Sequence, residues 1–201
     1  MSELFSIQLQ NRQQQGRDGV WLDLPTTTEQ VQAALRQIGI SSDNPQGLFI
    51  SGYFAEEEKR IAISYNMVLA SNVDELNFLA ARLETLSAGE RAELNAALQA
   101  PQSELSSIGR ITDFPENVDY YVHLPDVHGP AQLGDYYLNR SGMVDMPEEW
   151  KGGIDTAQFG RYVAQQEQGV FTEYGYLVKS GDVWQKVHEG QPLYLIHISE
   201  P

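Results

Sequence analysis

Cysteine is absent from the sequence of 201 residues. Its absence excludes disulfide bonds, thiol catalysis and thiolate metal sites, and it fits a protein of a reducing compartment. No apolar run approaches the roughly 18 residues that a membrane-spanning helix needs. The first ten residues, MSELFSIQLQ, also lack the basic start and the long apolar core of a secretory signal. We therefore expect a cytoplasmic protein that does not associate with membranes.

Basic residues are scarce. The sequence has 13 Lys and Arg against 28 Asp and Glu, which gives a formal net charge of -15. Such a balance disfavours direct binding of nucleic acid or of anionic membranes, and it predicts that a partner met through electrostatics is basic. The length allows one large domain or two to three small ones, and a hydrophobic content of 41% is normal for a folded protein.

Catalytic and cofactor motifs are also missing. The serines lie in no GxSxG or SxxK context, and the glycines form neither a GxGxxG pattern nor a phosphate-binding loop. We therefore predict a protein that is not an enzyme and that needs no cofactor. One cluster, His123, Asp126 and His128, has the residue types of a metal site, and it leaves a metal-dependent hydrolase open as a minor alternative.

The first 55 residues predict a small α/β module. Phe5, Ile7 and Leu9 alternate with polar residues, as in a half-buried strand, and residues 20–24 form a second apolar segment. Residues 47–54 predict a third strand. Between the last two segments, Thr26 and Glu29 have the spacing of a capping box, and Gly39 is a natural helix stop. The apolar face of this helix is predicted to comprise Val31, Ala34, Leu35 and Ile38.

Residues 56–111 predict a helical module. Ser71 and Asp74 are candidate caps of a first helix, and Ser87 and Glu90 have capping-box spacing ahead of a second helix that Pro101 ends. The two helices are expected to be antiparallel and joined by a tight turn. Apolar residues recur at helical spacing in the first: Leu76, Leu79, Ala80, Leu83 and Leu86.

Residues 112–201 predict an acidic α+β module. Between residues 111 and 150, eight acidic residues are opposed by Arg140 alone. Short helices are expected after Gly129-Pro130, at Pro147 and after Asp155, and residues 169–178 predict one strand. The last seven residues, LIHISEP, resemble a translated sequencing adapter, so residues 195–201 are set apart as a candidate non-native tail.

Three blocks of the sequence resemble the ArdA-type antirestriction proteins. The first is GVWLDLP at residues 19–25 with the helix that follows, and the second is the helical pair that begins DELN at Asp74. The third and most specific block is residues 133–178, in which LGDYY, MPEEW, IDTAQFGR and GVFTEYGYLV follow the order and spacing of that family.

This resemblance implies an elongated, curved α+β chain of three small domains that assembles as a homodimer. It also implies an antirestriction protein that imitates bent DNA, occupies the DNA-binding groove of type I restriction-modification enzymes and so protects incoming mobile DNA. The antirestriction segment of the family would fall on residues 141–155. Because duplex DNA carries a charge about every 1.7 Å, carboxylates spaced along a surface can stand in for phosphates.

The candidate phosphate-mimicking carboxylates fall into two groups. Those carried over by position from the family are Asp135, Asp145, Glu148, Glu149 and Asp155. Those added on charge density alone are Asp113, Glu116, Asp119 and Asp126.

An acidic adaptor that binds one specific protein is the main alternative. Its binding energy would come from aromatic side chains at the centre of the interface. The tyrosines considered for that role are Tyr120, Tyr121, Tyr136, Tyr137, Tyr174 and Tyr176, although core packing is the commoner role of any single tyrosine.

Overall fold

Two compact units make up the chain. The structure, a computed structural model, describes residues 3–14, 18–41, 46–101 and 103–188. The first unit comprises the described residues of 1–87, 104–116 and 185–201, and the second comprises those of 88–103 and 117–184. Both units contain helices and a small sheet, so the predicted mixture of helices and strands is confirmed.

The helices and strands of the described ranges are short. The strands are β1 (Phe5–Asn11), β2 (Val20–Leu24), β3 (Leu48–Phe54), β4 (Tyr121–Leu124), β5 (Val170–Thr172) and β6 (Gly175–Lys179). The helices are α1 (Thr28–Gln37), α2 (Tyr65–Leu69), α3 (Val73–Leu83), α4 (Ala88–Gln99), α5 (Ile108–Thr112), α6 (Pro130–Asp135), α7 (Glu148–Lys151) and α8 (Thr156–Glu167). A π-helical turn, Tyr136–Arg140, continues α6. No described helix has the length and apolar character required to cross a membrane.

The first unit is built on an antiparallel sheet of three strands in the order β2-β1-β3. The predicted alternation along β1 is confirmed, because Phe5, Ile7 and Leu9 are all buried. Ile7 pairs with Leu22 on one side and with Tyr53 on the other, so the central strand carries the core of the sheet. Because β2 and β3 each have only one neighbour, both are edge strands.

Helix α1 packs against β2 through the predicted apolar face, in which Val31, Ala34 and Leu35 are buried. Its capping box is formed by Thr27 and Gln30, one residue later than the Thr26 and Glu29 pair that the sequence suggested. The helix ends before Gly39, whose φ of +72° lies in the left-handed region that favours glycine.

Helix α3 fills the rest of the first core. Its cap is Asn72, which forms a capping box with Glu75, so the predicted Ser71 and Asp74 caps were again displaced by one residue. The buried side chain of Asn77 accepts a hydrogen bond from the Thr26 N–H at 2.7 Å and donates one to the Thr26 carbonyl at 3.2 Å. Because both backbone groups of Thr26 are buried, this amide satisfies two polar groups that would otherwise destabilise the fold.

The second unit contains an antiparallel sheet in the order β4-β6-β5. The single strand predicted over residues 169–178 was wrong, because this segment is a hairpin of β5 and β6. Thr172 pairs with Gly175 at its turn, and Gly175 has a φ of +117°. The Thr172 hydroxyl also donates a hydrogen bond to the Gly175 carbonyl at 2.8 Å, and this contact stabilises the tight turn.

Helices α6 and α8 of the second unit approach each other through two glycines. A Cβ atom at Gly134 would lie 2.0 Å from the carbonyl oxygen of Thr156, and one at Gly160 would lie 1.8 Å from the carbonyl oxygen of Pro130. Beside this contact, Leu133 is fully buried in a small apolar cluster. The two helices are therefore in backbone-to-backbone contact, which no larger residue would permit.

The division into three modules at residues 55/56 and 111/112 stays a prediction. The contacts within the chain assign α3 to the first unit and α4 to the second, although the two helices follow one another in sequence. The candidate non-native tail, residues 195–201, lies outside the described residues.

Candidate partner-binding surface

Residues 141–155, which we call the acidic segment, connect the π-helical turn to α8. Gly142, with a φ of +69°, reverses the chain at the start of the segment, and Asp155 caps α8 at its end. Between them lies α7, a helix of four residues that begins directly after Pro147 and has no buried residue. The acidic segment is therefore fixed at its two ends and presents most of its side chains to solvent.

Two of the five carboxylates carried over by position have a cationic neighbour. Asp135 lies 3.4 Å from the Arg140 guanidinium and also accepts a hydrogen bond from the Asn139 side chain at 2.8 Å. The Glu148 carboxylate accepts a hydrogen bond from the Lys151 ammonium group at 2.6 Å. Exposed pairs contribute only about 0–1 kcal/mol, so Asp135 can exchange Arg140 for another cation at little cost. The Lys151 side chain is only 15% exposed, whereas the Glu148 side chain that it contacts is 83% exposed.

The other three have no such neighbour in the described parts of the chain. Asp145, Glu149 and Asp155 are exposed, and no described Lys, Arg or His nitrogen lies within 4.0 Å of their carboxylate oxygens. Asp155 has a second role, because its side chain accepts the Gln158 backbone N–H at 2.9 Å. Three carboxylates of the acidic segment therefore have no described cation beside them.

The carboxylates added on charge density are placed differently. Asp119 and Asp126 are exposed on the second unit, the unit that also holds the acidic segment. Glu116 belongs to the first unit and forms an ion pair with Arg82. Seven of the nine candidates thus lie in one compact unit.

Asp113 does not reach the surface. Its side chain is 0% exposed, and one carboxylate oxygen accepts hydrogen bonds from the backbone N–H of His188 at 2.8 Å and from the His188 ring at 2.7 Å. The sequence could not indicate this, because the two residues are 75 positions apart. The buried Asp113 carboxylate is therefore not available to a partner at the surface.

A single carboxylate accepts hydrogen bonds from two tyrosines of the second unit. Glu167, near the end of α8, accepts hydrogen bonds from the hydroxyl groups of both Tyr137 and Tyr176. Burial, reinforced by these hydrogen bonds to a carboxylate, raises the pKa of both tyrosines well above the ordinary value of 10. Both phenols therefore stay protonated and keep donating across the neutral pH range.

Most of the tyrosines considered as interface anchors are wholly or largely buried in this structure. Tyr176 is 0% exposed and packs against Phe171, while Tyr120 and Tyr121 are buried against each other. The large apolar side chains that do reach solvent near the acidic charges are different ones. They are Met143, which is 75% exposed, Trp150, which is 66% exposed, and Tyr162 on α8.

The histidine cluster that left a hydrolase open is not assembled as a metal site. The ring Nε2 atom of His123 lies 2.7 Å from the carbonyl oxygen of Tyr174, so the backbone engages this nitrogen. Throughout the described ranges, no three His, Cys, Asp or Glu side chains are placed to hold one metal ion. The geometry therefore gives no support to a metal-dependent hydrolase.

One unusual carboxylate escaped the sequence analysis. Burial raises the pKa of Glu93 on α4 to about 8, and the nearby charges of Glu90 and Asp119 add to the shift. One Glu93 oxygen is buried without a hydrogen-bond partner in the described part of the chain. Local sequence patterns could not reveal this, because Asp119, one cause of the shift in the Glu93 pKa, lies 26 positions further along the chain.

Comparison with known families shows which family the chain belongs to. A family model described as antirestriction protein (ArdA) matches residues 15–178, a span that contains the whole acidic segment. The chain belongs to the ArdA antirestriction family. Membership in the ArdA family implies an antirestriction function, and it confirms the resemblance that the three sequence blocks indicated. Comparison of the chain with curated proteins gives no match.

Proposed function

We propose that this ArdA-family protein is a DNA mimic that occupies the basic DNA-binding groove of a type I restriction-modification enzyme. The observation that carries the proposal is the exposure of Asp145, Glu149 and Asp155 on one short segment, with no described cation close enough to neutralise them. In this role the protein acts in the cytoplasm, as a homodimer, and protects incoming mobile DNA from restriction.

The physical basis is electrostatic. A groove that receives duplex DNA is lined with Lys and Arg, because DNA presents a negative charge about every 1.7 Å along its axis. A protein with a net charge of -15 is attracted to such a groove over a long range, and its carboxylates then replace the phosphates. A folded mimic also avoids the energy of bending DNA, which is on the order of a few kcal/mol. No bond is made or broken, so the function requires no catalytic residue.

The carboxylates do not contribute equally. Asp145, Glu149 and Asp155 are available without breaking an internal ion pair, whereas Asp135 and Glu148 must first release Arg140 and Lys151. Release of Arg140 costs little because both members of that pair are exposed, and the Glu148 carboxylate is itself exposed although Lys151 is not. We therefore expect all five to bind the target, with the three unneutralised residues dominating the long-range attraction.

A specific protein adaptor remains the second candidate, and the exposure of Met143 and Trp150 favours it. An exposed tryptophan is a frequent anchor of protein interfaces. Salt distinguishes the two functions, because binding through carboxylates weakens steeply as ionic strength rises, whereas binding through apolar anchors does not.

A competition experiment tests the proposal. A type I restriction-modification enzyme is mixed with labelled duplex DNA and increasing amounts of this protein, at a series of salt concentrations. We expect the protein to displace the DNA and to lose affinity steeply with salt. Displacement that is insensitive to salt would support the adaptor, and no displacement would contradict mimicry.

The matched controls use two pairs of substitutions that change the net charge equally. Asp145→Asn with Glu149→Gln removes two charges from the acidic segment, while Asp18→Asn with Glu57→Gln removes two exposed charges from the first unit. We expect the first pair to weaken displacement and to lower its salt dependence, and the second pair to change both much less. Plating of unmodified phage on a type I restricting host, with and without each variant, provides the cellular counterpart.

A further inference from the structure

The first unit contains a groove to which the proposed DNA mimicry assigns no role. The groove has a volume of about 340 Å³ and lies between β2 and α1. It belongs entirely to the first unit, whereas the acidic segment belongs to the second.

The strand side of the groove is the open edge of the sheet. Residues 20–23 of β2 and Pro25 all line the groove, although successive side chains of a strand point to opposite faces. Consecutive residues can share one groove only if the groove runs along the backbone edge. Because β2 pairs with β1 alone among the described strands, alternate N–H and C=O groups of this edge have no described strand beside them and can bond another strand.

The helix side presents one face of α1. Gln30, Ala33, Ala34 and Gln37 line the groove, and their i, i+3, i+4, i+7 spacing places them in a row along the helix. Of the two alanines in the middle, Ala33 is partly exposed and leaves room for side chains from outside, whereas Ala34 is buried, and the two glutamines provide polar groups on either side. An edge strand facing a helix across such a space is the arrangement that accepts an added strand.

The charges of the groove select the kind of strand. Glu3 and Asp23 line the groove, and no Lys, Arg or His is among the described residues that do so. A neighbouring groove shares Glu3 and Asp23, and its Lys59 is ion-paired with Glu56 at 3.2 Å. A basic side chain would therefore meet acidic groups in this region, while small apolar side chains would fit above the alanines.

We propose that this groove binds an extended, basic segment of a partner protein, which adds to the sheet as a fourth strand beside β2. The five residues of β2 provide a docking length of about 17 Å, enough for a segment of roughly five residues. Hydrogen bonds to the edge give the segment its affinity, and a Lys or Arg next to a small apolar residue gives it specificity. The proposal does not depend on DNA mimicry, because it involves the other unit of the chain.

The test begins with a selection of random decapeptides on the full chain. We expect the bound peptides to share a Lys or Arg beside a small apolar residue. A fluorescent version of a selected peptide then serves as the probe for two variants. Gln37→Trp places an indole in the groove, whereas Arg36→Trp places the same indole on the neighbouring exposed residue, which does not line the groove.

We expect Gln37→Trp to weaken peptide binding by about tenfold or more and Arg36→Trp to leave it within about twofold. Methylation of alternate backbone amides of the peptide should also abolish binding, because those N–H groups bond the edge of β2. A selection that yields no peptides, peptides without basic residues, or equal binding to the two variants would overturn the proposal. Sedimentation completes the test, since a dimer that Gln37→Trp alone dissociates would identify a second copy of the chain as the occupant and also overturn it.

Discussion

The hydroxyl group of Tyr176 donates a hydrogen bond of 2.9 Å to the carboxylate of Glu167. This contact joins the fully buried centre of the second sheet to α8, the helix that the acidic segment enters. The other Glu167 oxygen accepts from Tyr137, so a single carboxylate satisfies two partly or wholly buried phenols. The stability of the second unit therefore depends on a residue that lies outside the proposed surface.

Replacement of this carboxylate should destabilise the protein. Glu167→Ala leaves both tyrosine hydroxyls without their acceptor, and we expect a loss of about 2–3 kcal/mol in the free energy of unfolding. Tyr176→Phe removes one hydrogen bond together with its donor and should cost only about 1 kcal/mol. Chemical denaturation measures both. Glu149→Gln, an exposed carboxylate on the acidic segment, is the control and should leave the midpoint unchanged.

Two Gly→Ala substitutions, one at the contact between α6 and α8 and one outside it, should change the stability of the protein in opposite directions. Gly160→Ala forces a Cβ atom against the carbonyl of Pro130, so the helices must separate, and we expect a loss of about 1–3 kcal/mol. Gly89→Ala is the matched control, because Gly89 lies on α4 and has no atom within 4 Å of its added Cβ. Alanine should stabilise that helix by about 0.5–1 kcal/mol. Thermal unfolding of the two variants should therefore shift in opposite directions.

Local patterns predicted much of this architecture. The alternation of Phe5, Ile7 and Leu9 placed β1 correctly, and helical spacing identified the buried faces of α1 and α3. The caps were misplaced by one residue because Thr26-Thr27 and Ser71-Asn72 each offer two adjacent side chains that can cap, and only the fold decides between them.

What local patterns missed depends on distant residues. β4 and β6 pair across more than 50 positions of the sequence. The four residues of β4 are also too few to show the alternation of buried and exposed side chains that marks a strand. The burial of Asp113 depends on His188 in the same way. The acidic segment was predicted by resemblance rather than by physics, since its charge alone would also fit a solvated loop.

The carboxyl group of Glu93 predicts an unusual dependence of stability on pH. Its pKa rises from 4.5 to about 8 in the folded protein, so the folded state holds a proton that the unfolded state releases. The stabilisation is fully present below about pH 4.5 and is lost as the pH rises through about 8. Glu93→Gln stays neutral throughout. We therefore expect the melting temperature of this variant, relative to that of the wild type, to increase from about pH 5 to about pH 8.

This result has a clear contrary outcome and a control. A difference in melting temperature that stays constant over the same pH range would show that Glu93 titrates normally. Glu57→Gln, which alters an exposed carboxylate of the first unit, is the control for the loss of one negative charge.

Two substitutions of Asp155 separate its charge from its cap. Asp155→Asn retains an oxygen that can accept the Gln158 N–H, so stability should be preserved while one negative charge is lost. Asp155→Ala loses both functions and should also lower the free energy of unfolding by about 1 kcal/mol. If the charge contributes to target binding, both variants should displace DNA from the enzyme less effectively. Equal displacement by Asp155→Asn and the wild type would remove Asp155 from the proposed surface.

A substitution of Trp150 distinguishes the proposed DNA mimic from the protein adaptor. Trp150→Ala removes a side chain that is 66% exposed, so it should not change the melting temperature. For a purely electrostatic mimic, affinity for the target should change by less than about twofold at any salt concentration. A loss of tenfold or more that persists at high salt would instead favour the adaptor, with Trp150 as its anchor.

The four residues of α7 bury nothing, and the chain on either side is fixed by Gly142 and by Asp155. Substitutions between these two points therefore have no core to disturb. On the proposed surface, the exposed charges of α7 can therefore be rearranged, added or removed with little penalty in folding. Asp155 is the exception, because the same carboxylate caps α8 and belongs to the proposed surface, so a change at this position also affects folding.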